Sequence, residues 1–316
     1  MNKHDSISTM LDCIVVGAGP AGLTAAEYLA RFHRRVVVLG VSGPKPRLLL
    51  IDRTYNLPGY PEGISGQSLR ERLMEQAKKV GAILREATAQ HISGEDGNFT
   101  VQLSDGTNLF ARKIILAMGV RDRHPDVPNI EPHIGDFIRY CPVCDGYEHT
   151  DQTLGILGSG GSVARHALFL RTFSHRISIF LHGKEHETLG SYRQKLMEKG
   201  IEVYEPRVVK IIEQQQREGS AVSDHVGCGI CLEDGTHHPL AVLYSALGCD
   251  LSLDPVQHMG LDLDEDGYVK VNIHQETNVP GIYAAGDLVS QINQISVAFG
   301  QAAISAVSLH NALDDE

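Results

Sequence analysis

Two thiols and a carboxylate stand together at Cys141-Pro142-Val143-Cys144-Asp145. Two residues between the cysteines bring both sulfurs within bonding distance at a helix start, where the dipole lowers the pKa of the first thiol. Pro142 stiffens the loop. Asp145 is placed to shuttle a proton as the pair exchanges electrons. A structural zinc site is the first rival reading, and it needs four ligands. Cys228-Gly229-Ile230-Cys231 offers a second pair. However, residues 226–232 read as a strand, where positions i and i+3 face opposite sides. Two inert buried thiols are the second rival, but Asp145 and Gly146 directly after them suit an exposed, reactive turn. The pair is therefore read as redox-active, and no metal is assigned. Cys13, Cys228, Cys231 and Cys249 read as buried small hydrophobes.

Two Gly-rich turns flank this stretch. Leu11 to Val16 is a continuous apolar run, the pattern of a buried parallel strand. Gly17-Ala18-Gly19-Pro20-Ala21-Gly22 follows, then a helix from Ala21 to Phe32 and a second strand from Val36 to Leu39. This is a dinucleotide-binding unit. Gly17 permits the turn, Gly19 lets a pyrophosphate approach, and Gly22 lets helix and strand pack closely. The free N–H groups of the helix start, in the turn that carries Pro20 and Ala21, then bind the phosphates. The fingerprint expects an acid after the second strand to hold the ribose, but Gly40 stands there. The plan then repeats: a strand from Thr153 to Leu157, a turn carrying Gly158, Gly160 and Gly161, a helix from Val163 to Phe173 and a strand from Ile177 to Leu181. Leu243 to Gly248 echoes Ile115 to Gly119, so the chain holds two copies of one architecture. Between the copies, residues 53–66 form a long Pro- and Gly-rich loop, Ser68 to Val80 an amphipathic helix, and Asn98 to Leu103 and Lys113 to Ala117 strands. Thr277 to Asp287 returns to a strand ending in a glycine and an acid, and Ser296 to Leu313 is a closing helix.

At 316 residues the chain has room for two domains. A net charge of −11 argues against nucleic acid as a partner. The longest apolar runs are strand-sized, so no membrane span is expected. Residues 1–6 read as a frayed tail without a signal peptide, and a cytoplasmic setting is expected.

Taken together, these pieces resemble the low-molecular-weight thioredoxin reductases and their relatives among flavin disulfide oxidoreductases. The matching stretches run nearly end to end: VVGAGPAGLTAA (15–26), NLPGYPEGISG (56–66), CPVCDGYE (141–148), LGSGGSVARHALFL (157–170) and NVPGIYAAGDL (278–288). The resemblance implies an α/β protein of two Rossmann-like domains, the second inserted in the first. An FAD domain would comprise residues 1–119 and 246–316, and a second nucleotide domain carrying the cysteines residues 120–245. It implies FAD held by Gly17, Gly19, Gly22 and Asp287, with Gln294 near the flavin ring. Cys144 would face the flavin, Cys141 would attack the partner disulfide, and Asp145 would be the general acid. A homodimer whose smaller domain rotates is implied as well.

The departures fall in the second nucleotide site. Relatives that use NADPH carry a His-Arg-Arg cluster after the strand matching Ile177 to Leu181. Here Leu181-His182-Gly183-Lys184-Glu185-His186-Glu187 offers one Lys between acids, a poor grip for a 2′-phosphate dianion. Val163 stands where a small residue lets the helix lie on the strand, and its bulk is expected to push the helix out or shift the turn. Arg165 and His166 replace acids common in relatives. Three readings follow. NADPH still binds with fewer contacts or gives way to NADH. Alternatively the nicotinamide site is lost, and ferredoxin or a second FAD in the vacant site supplies electrons. In the third the chemistry runs backwards, as in small-molecule dithiol oxidases with a similar Cys-Pro-x-Cys-x-Gly-Tyr-Glu stretch. A flavin-binding sensor without turnover is the remaining alternative. The expected partner is a thioredoxin-like protein or a small-molecule disulfide.

Overall fold

The computed structural model describes residues 10–40, 46–182, 189–213, 228–289 and 292–314. The N-terminal tail, residues 226–227 and the segment Gly183 to Glu187 lie outside the described residues. Contacts divide the chain into two units. One comprises Met1–Arg53, Leu57–Arg121 and Leu251–Glu316, and the other Thr54–Asn56 and Asp122–Asp250. No helix among the described residues is long and apolar enough to cross a membrane.

The first unit opens with β1 (Leu11–Val16), α1 (Pro20–Arg31) and β2 (Val36–Leu39). α2 (Gly66–Lys79) follows, its start capped by the Ser65 hydroxyl, which accepts from the Ser68 N–H. Then come β3 (Ile83–Arg85), β4 (Ala89–Glu95), β5 (Asn98–Leu103), β6 (Asn108–Leu116) and β7 (Val120–Asp122). β3, β2, β1 and β6 run parallel, in that order across the sheet.

The second unit begins with β8 (Ile138–Arg139) and a single helical turn, α3 (Pro142–Asp145). It continues through β9 (Thr153–Gly158), α4 (Gly160–Leu170), β10 (Arg176–Leu181), α5 (Tyr192–Glu198) and β11 (Glu202–Tyr204). An antiparallel layer, β12 (Val208–Glu213), β13 (Cys228–Leu232) and β14 (His237–Leu240), precedes β15 (Val242–Ser245). The parallel sheet has the order β11-β10-β9-β15-β8. One of its faces packs on α4 and α5 through Leu154, Ile156, Val163 and Tyr244. The other packs on the antiparallel layer through Leu157, Phe180, Leu243 and Ile230. Coverage on both faces is why these strands read as unbroken apolar runs.

β16 (Cys249–Leu251) pairs with β7, and the chain returns to the first unit. There β17 (Ile282–Ala284) joins the sheet beside the C-terminal half of β6, whose N-terminal half pairs with β5. α6 (Ile295–Asp314) packs with α1 on one face of the sheet, through Ala302, Ala306 and Leu309 against Leu23, Ala26 and Leu29. The opposite face is covered by β4, β5 and the segment around Val256 and Val269.

The two units repeat one plan at atomic detail. The Ala117 N–H donates to the Val16 carbonyl at 2.8 Å, and the Ala246 N–H donates to the Leu157 carbonyl at 2.7 Å. Each acceptor directly precedes the first glycine of its turn. Gly119 and Gly248 then both take left-handed φ, 67° and 79°.

Candidate active site

The cysteines lie on the inserted, second unit. Cys141 caps α3, and Cys141 and Cys144 form a disulfide with their Cα atoms 5.3 Å apart. The Cys144 N–H donates to the Cys141 carbonyl at 3.0 Å, so one helical turn brings the sulfurs together. The helix that starts at the pair is a single turn: α3 ends at Asp145. A single turn supplies little macrodipole. Gly146 closes the turn because a Cβ there would lie 2.6 Å from the Pro142 carbonyl oxygen and 2.7 Å from the Phe173 ring.

Asp145 is mostly buried, with 18% of its side chain exposed. Its Oδ1 accepts a hydrogen bond from the Tyr244 hydroxyl at 2.8 Å, and the Arg139 guanidinium lies 3.6 Å from Oδ2. Burial holds its carboxyl above the usual carboxylate range. The Tyr244 hydrogen bond, Arg139 and His149 pull it back down, and Glu148 pushes it up. The buried Tyr244 phenol is driven up by burial and by the Asp145 charge, so it stays a donor.

The first Gly-rich turn is a cradle with room on one side and none on the other. Gly17 has φ 116°, and a Cβ there would sit 2.2 Å from the Ala117 carbonyl oxygen. A Cβ on Gly22 would lie 1.9 Å from the Gly17 carbonyl oxygen. Gly19 caps α1, and nothing lies within 4 Å of where its Cβ would be. A diphosphate fits that opening, beside the N–H groups of Ala21 and Gly22 in the first turn of the helix. Gly286 has φ 81°, and a Cβ there would sit 3.0 Å from the Ala21 Cβ, so its turn abuts the start of α1. Asp287 in that turn pairs with Arg47 at 2.9 Å. Gln294 lies just before α6, and its carbonyl accepts from the Ala298 N–H at 3.0 Å. Gly40 is where the acid was expected; it has φ 89°, and its Cβ would lie 3.7 Å from the Gly17 Cα. That conformation explains the glycine, since an acid would be strained there.

The second turn follows a different path. Gly160 opens α4 with φ 59°, whereas Gly19 has φ −87°. Val163 is fully buried in one cluster with Leu154, Ile156 and Ala167. A Cβ on Gly158 would be 3.1 Å from the Ala246 carbonyl oxygen, looser than the 2.2 Å at Gly17. His182 directly follows β10, with its N–H donating to the Gly158 carbonyl at 3.0 Å. Its ring is buried, its Nδ1 has no partner among the described residues, and burial holds it below the usual imidazole range. His166 is also pushed down by burial, and its Nδ1 contacts the Ser162 carbonyl at 2.8 Å.

A pyridine nucleotide-disulphide oxidoreductase family model matches residues 11–302. The chain belongs to that family. A thioredoxin reductase of Mycolicibacterium smegmatis is 30% identical over 315 residues, covering 98% of each chain. The crystal structure of thioredoxin reductase from Streptococcus pyogenes has 25% identity and a TM-score of 0.85, covering 97% of this chain and 99% of that one. The atypical thioredoxin reductase TRi from Desulfovibrio vulgaris Hildenborough has 30% identity and a TM-score of 0.53, covering 98% of this chain and 99% of its own.

The chain is thus a flavoprotein disulfide oxidoreductase of thioredoxin-reductase type with two Rossmann-like domains. In this oxidoreductase the sequence reading missed Arg139 and Tyr244. β8 and β15 pair in parallel with Arg139 opposite Tyr244, which brings both to Asp145. A tyrosine inside an aliphatic strand was the available signal, because a buried phenol needs an acceptor. Arg47 was missed too, a cation in the apolar run PRLLLI. The remaining cysteines differ from expectation: Cys13 is buried with its thiol driven up, but Cys228, Cys231 and Cys249 are only half-buried. Among the described residues, no cluster of three or more His, Cys, Asp or Glu could hold a metal.

Proposed function

We propose that this flavoprotein passes electrons through FAD into the Cys141–Cys144 disulfide and on to a disulfide of a thioredoxin-like partner. The observation that carries the reading is the disulfide itself, formed within one helical turn whose last residue is a buried, hydrogen-bonded carboxylate. FAD would supply the two-electron chemistry at the flavin. Gly17, Gly19, Pro20, Ala21 and Gly22 would hold its diphosphate, with Asp287 and Gln294 nearby along the cofactor. The domain built from residues 1–119 and 246–316 would bind it, and residues 120–245 would carry the thiols. Cys144 receives electrons on the flavin side. Cys141 attacks the partner disulfide, and Asp145 moves the proton. A homodimer is part of the same reading.

For the donor, the proposal is that NADPH holds no advantage over NADH. The turn of Gly158, Gly160 and Gly161 keeps the glycines of a nucleotide site, and the segment after His182 carries one Lys among acids. The experiment is anaerobic mixing of oxidised protein with each nucleotide, followed by addition of oxidised thioredoxin and a count of new thiols. Comparable flavin bleaching by the two, then thiol release, is expected. Rapid bleaching by NADPH alone contradicts the donor proposal. Bleaching by neither moves the donor to ferredoxin or to a second FAD in that turn. Oxygen consumption driven by a small dithiol, with no thioredoxin reduction, would replace the reading by that of a dithiol oxidase.

A further inference from the structure

Asp145 is held by two side chains that sulfur chemistry alone does not require. Tyr244 is among the largest fully buried side chains of the molecule. Its ring packs with Leu154, Ile156 and Val163 on the helix-covered face of the sheet. A phenol buried this way must donate to something, and its acceptor is Asp145 Oδ1 at 2.8 Å. Arg139, its neighbour across the parallel register, approaches the other oxygen, Oδ2, at 3.6 Å. The carboxylate therefore has two unlike oxygens. Oδ1 faces a donor buried in the core, whereas Oδ2 faces a cation that is 21% exposed.

The other charged groups around Asp145 come from the segment after α3. Glu148 and His149 both act on it electrostatically. His149 stands edge-on to Tyr244 with ring centroids 6.5 Å apart, and its Nδ1 contacts Gln152 Oε1 at 2.9 Å. Phe173 abuts the turn from the end of α4 and brings no charge.

We propose that Tyr244 and Arg139 are positioning residues which reserve Asp145 Oδ2 as the oxygen that takes up and releases the proton of disulfide exchange. The inference rests on the proposed function and deepens it. In the exchange the Cys141 thiol gives up its proton and attacks one sulfur of the partner disulfide. The partner S–S bond breaks as the Cys141–partner bond forms, and the departing sulfur leaves as a thiolate. Cys144 then attacks Cys141, which releases the second thiolate. Two thiols become one disulfide, and the partner disulfide gains two electrons and two protons. Oδ2 carries a proton from thiol to departing thiolate. Oδ1 is the poorer proton acceptor while it accepts from the Tyr244 hydroxyl.

Removing either positioning residue should make the carboxylate harder to ionise, because each favours the charged form. The test follows the protonated-carboxyl stretch of Asp145 by infrared titration of the full-length, flavin-loaded protein, with Asp145→Asn as the blank. In Tyr244→Phe, which keeps the ring, the midpoint should move to higher pH by about one to two units, the worth of a charge-assisted hydrogen bond. The pH profile of disulfide exchange should move in the same direction. An unchanged or lowered midpoint overturns the proposal. Should Tyr244→Phe not fold, Arg139→Gln reads the same carboxyl: an upward shift supports the proposal, and an unchanged midpoint overturns it. Wild-type protein without disulfide turnover would refute the proposed function instead, a result the infrared titration does not depend on.

Discussion

At the scale of single residues, the decisive feature is a carboxylate whose burial and partners oppose each other. Burial raises the folded-state pKa of Asp145 above its unfolded value, as the largest influence on it. A carboxyl shifted upward contributes stability that is full below the unfolded carboxylate range, about pH 3.9, and lost as pH rises through the folded value. Asp145→Asn, which never ionises, should therefore gain on wild type as pH rises. Denaturant unfolding of the two should diverge from about pH 4 toward neutrality, with the variant becoming the more stable; a constant gap would count against the assignment. Cys144→Ser should abolish disulfide turnover while flavin stays bound, and normal turnover in that variant would remove the pair from the mechanism. Cys141, Cys144 and Asp145 were legible in the sequence because they are nearly contiguous. Tyr244 and Arg139 were not, because they lie far apart in the chain and only a strand register places them together.

Among the elements, the two Gly-rich turns share a plan and differ in how tightly they close. In the first, the cradle is fixed by backbone contact, so Gly22→Ala should cost on the order of 2–4 kcal/mol through overpacking against the Gly17 carbonyl. Gly19→Ala is the contrasting case. It has an ordinary φ and empty space around the added methyl, so denaturant unfolding of flavin-free protein should change little. Its flavin affinity should fall, because the methyl enters the space a diphosphate would use. Equal unfolding losses in both variants would contradict this account of the cradle. β1 and β2 were readable to the residue, since burial on both faces makes their apolar runs continuous. α4 was less legible. The sequence suggested a start at Val163, but left-handed Gly160 lets the helix begin at the turn itself. The antiparallel layer β12 to β14 was missed apart from its central strand, which is the most buried of the three. The reason for Gly40 was equally hidden, because it is a left-handed backbone conformation that the sequence does not display.

Across the whole molecule, one architecture is used twice within a single chain, and each unit has its own buried core. The order of motifs made this repeat and the family readable from the sequence, and the family model spans most of the chain. The donor was less readable, because it turns on short polar segments after a strand rather than on the apolar pattern that builds the fold. The central claim is that flavin and the Cys141–Cys144 disulfide form one electron path. Anaerobic titration of the flavin-loaded protein with dithionite, counting reductant per flavin, tests it most directly. Wild type should consume twice the reductant that Cys144→Ser does, because the disulfide takes up as many electrons as the flavin. Equal consumption by the two proteins would contradict the account.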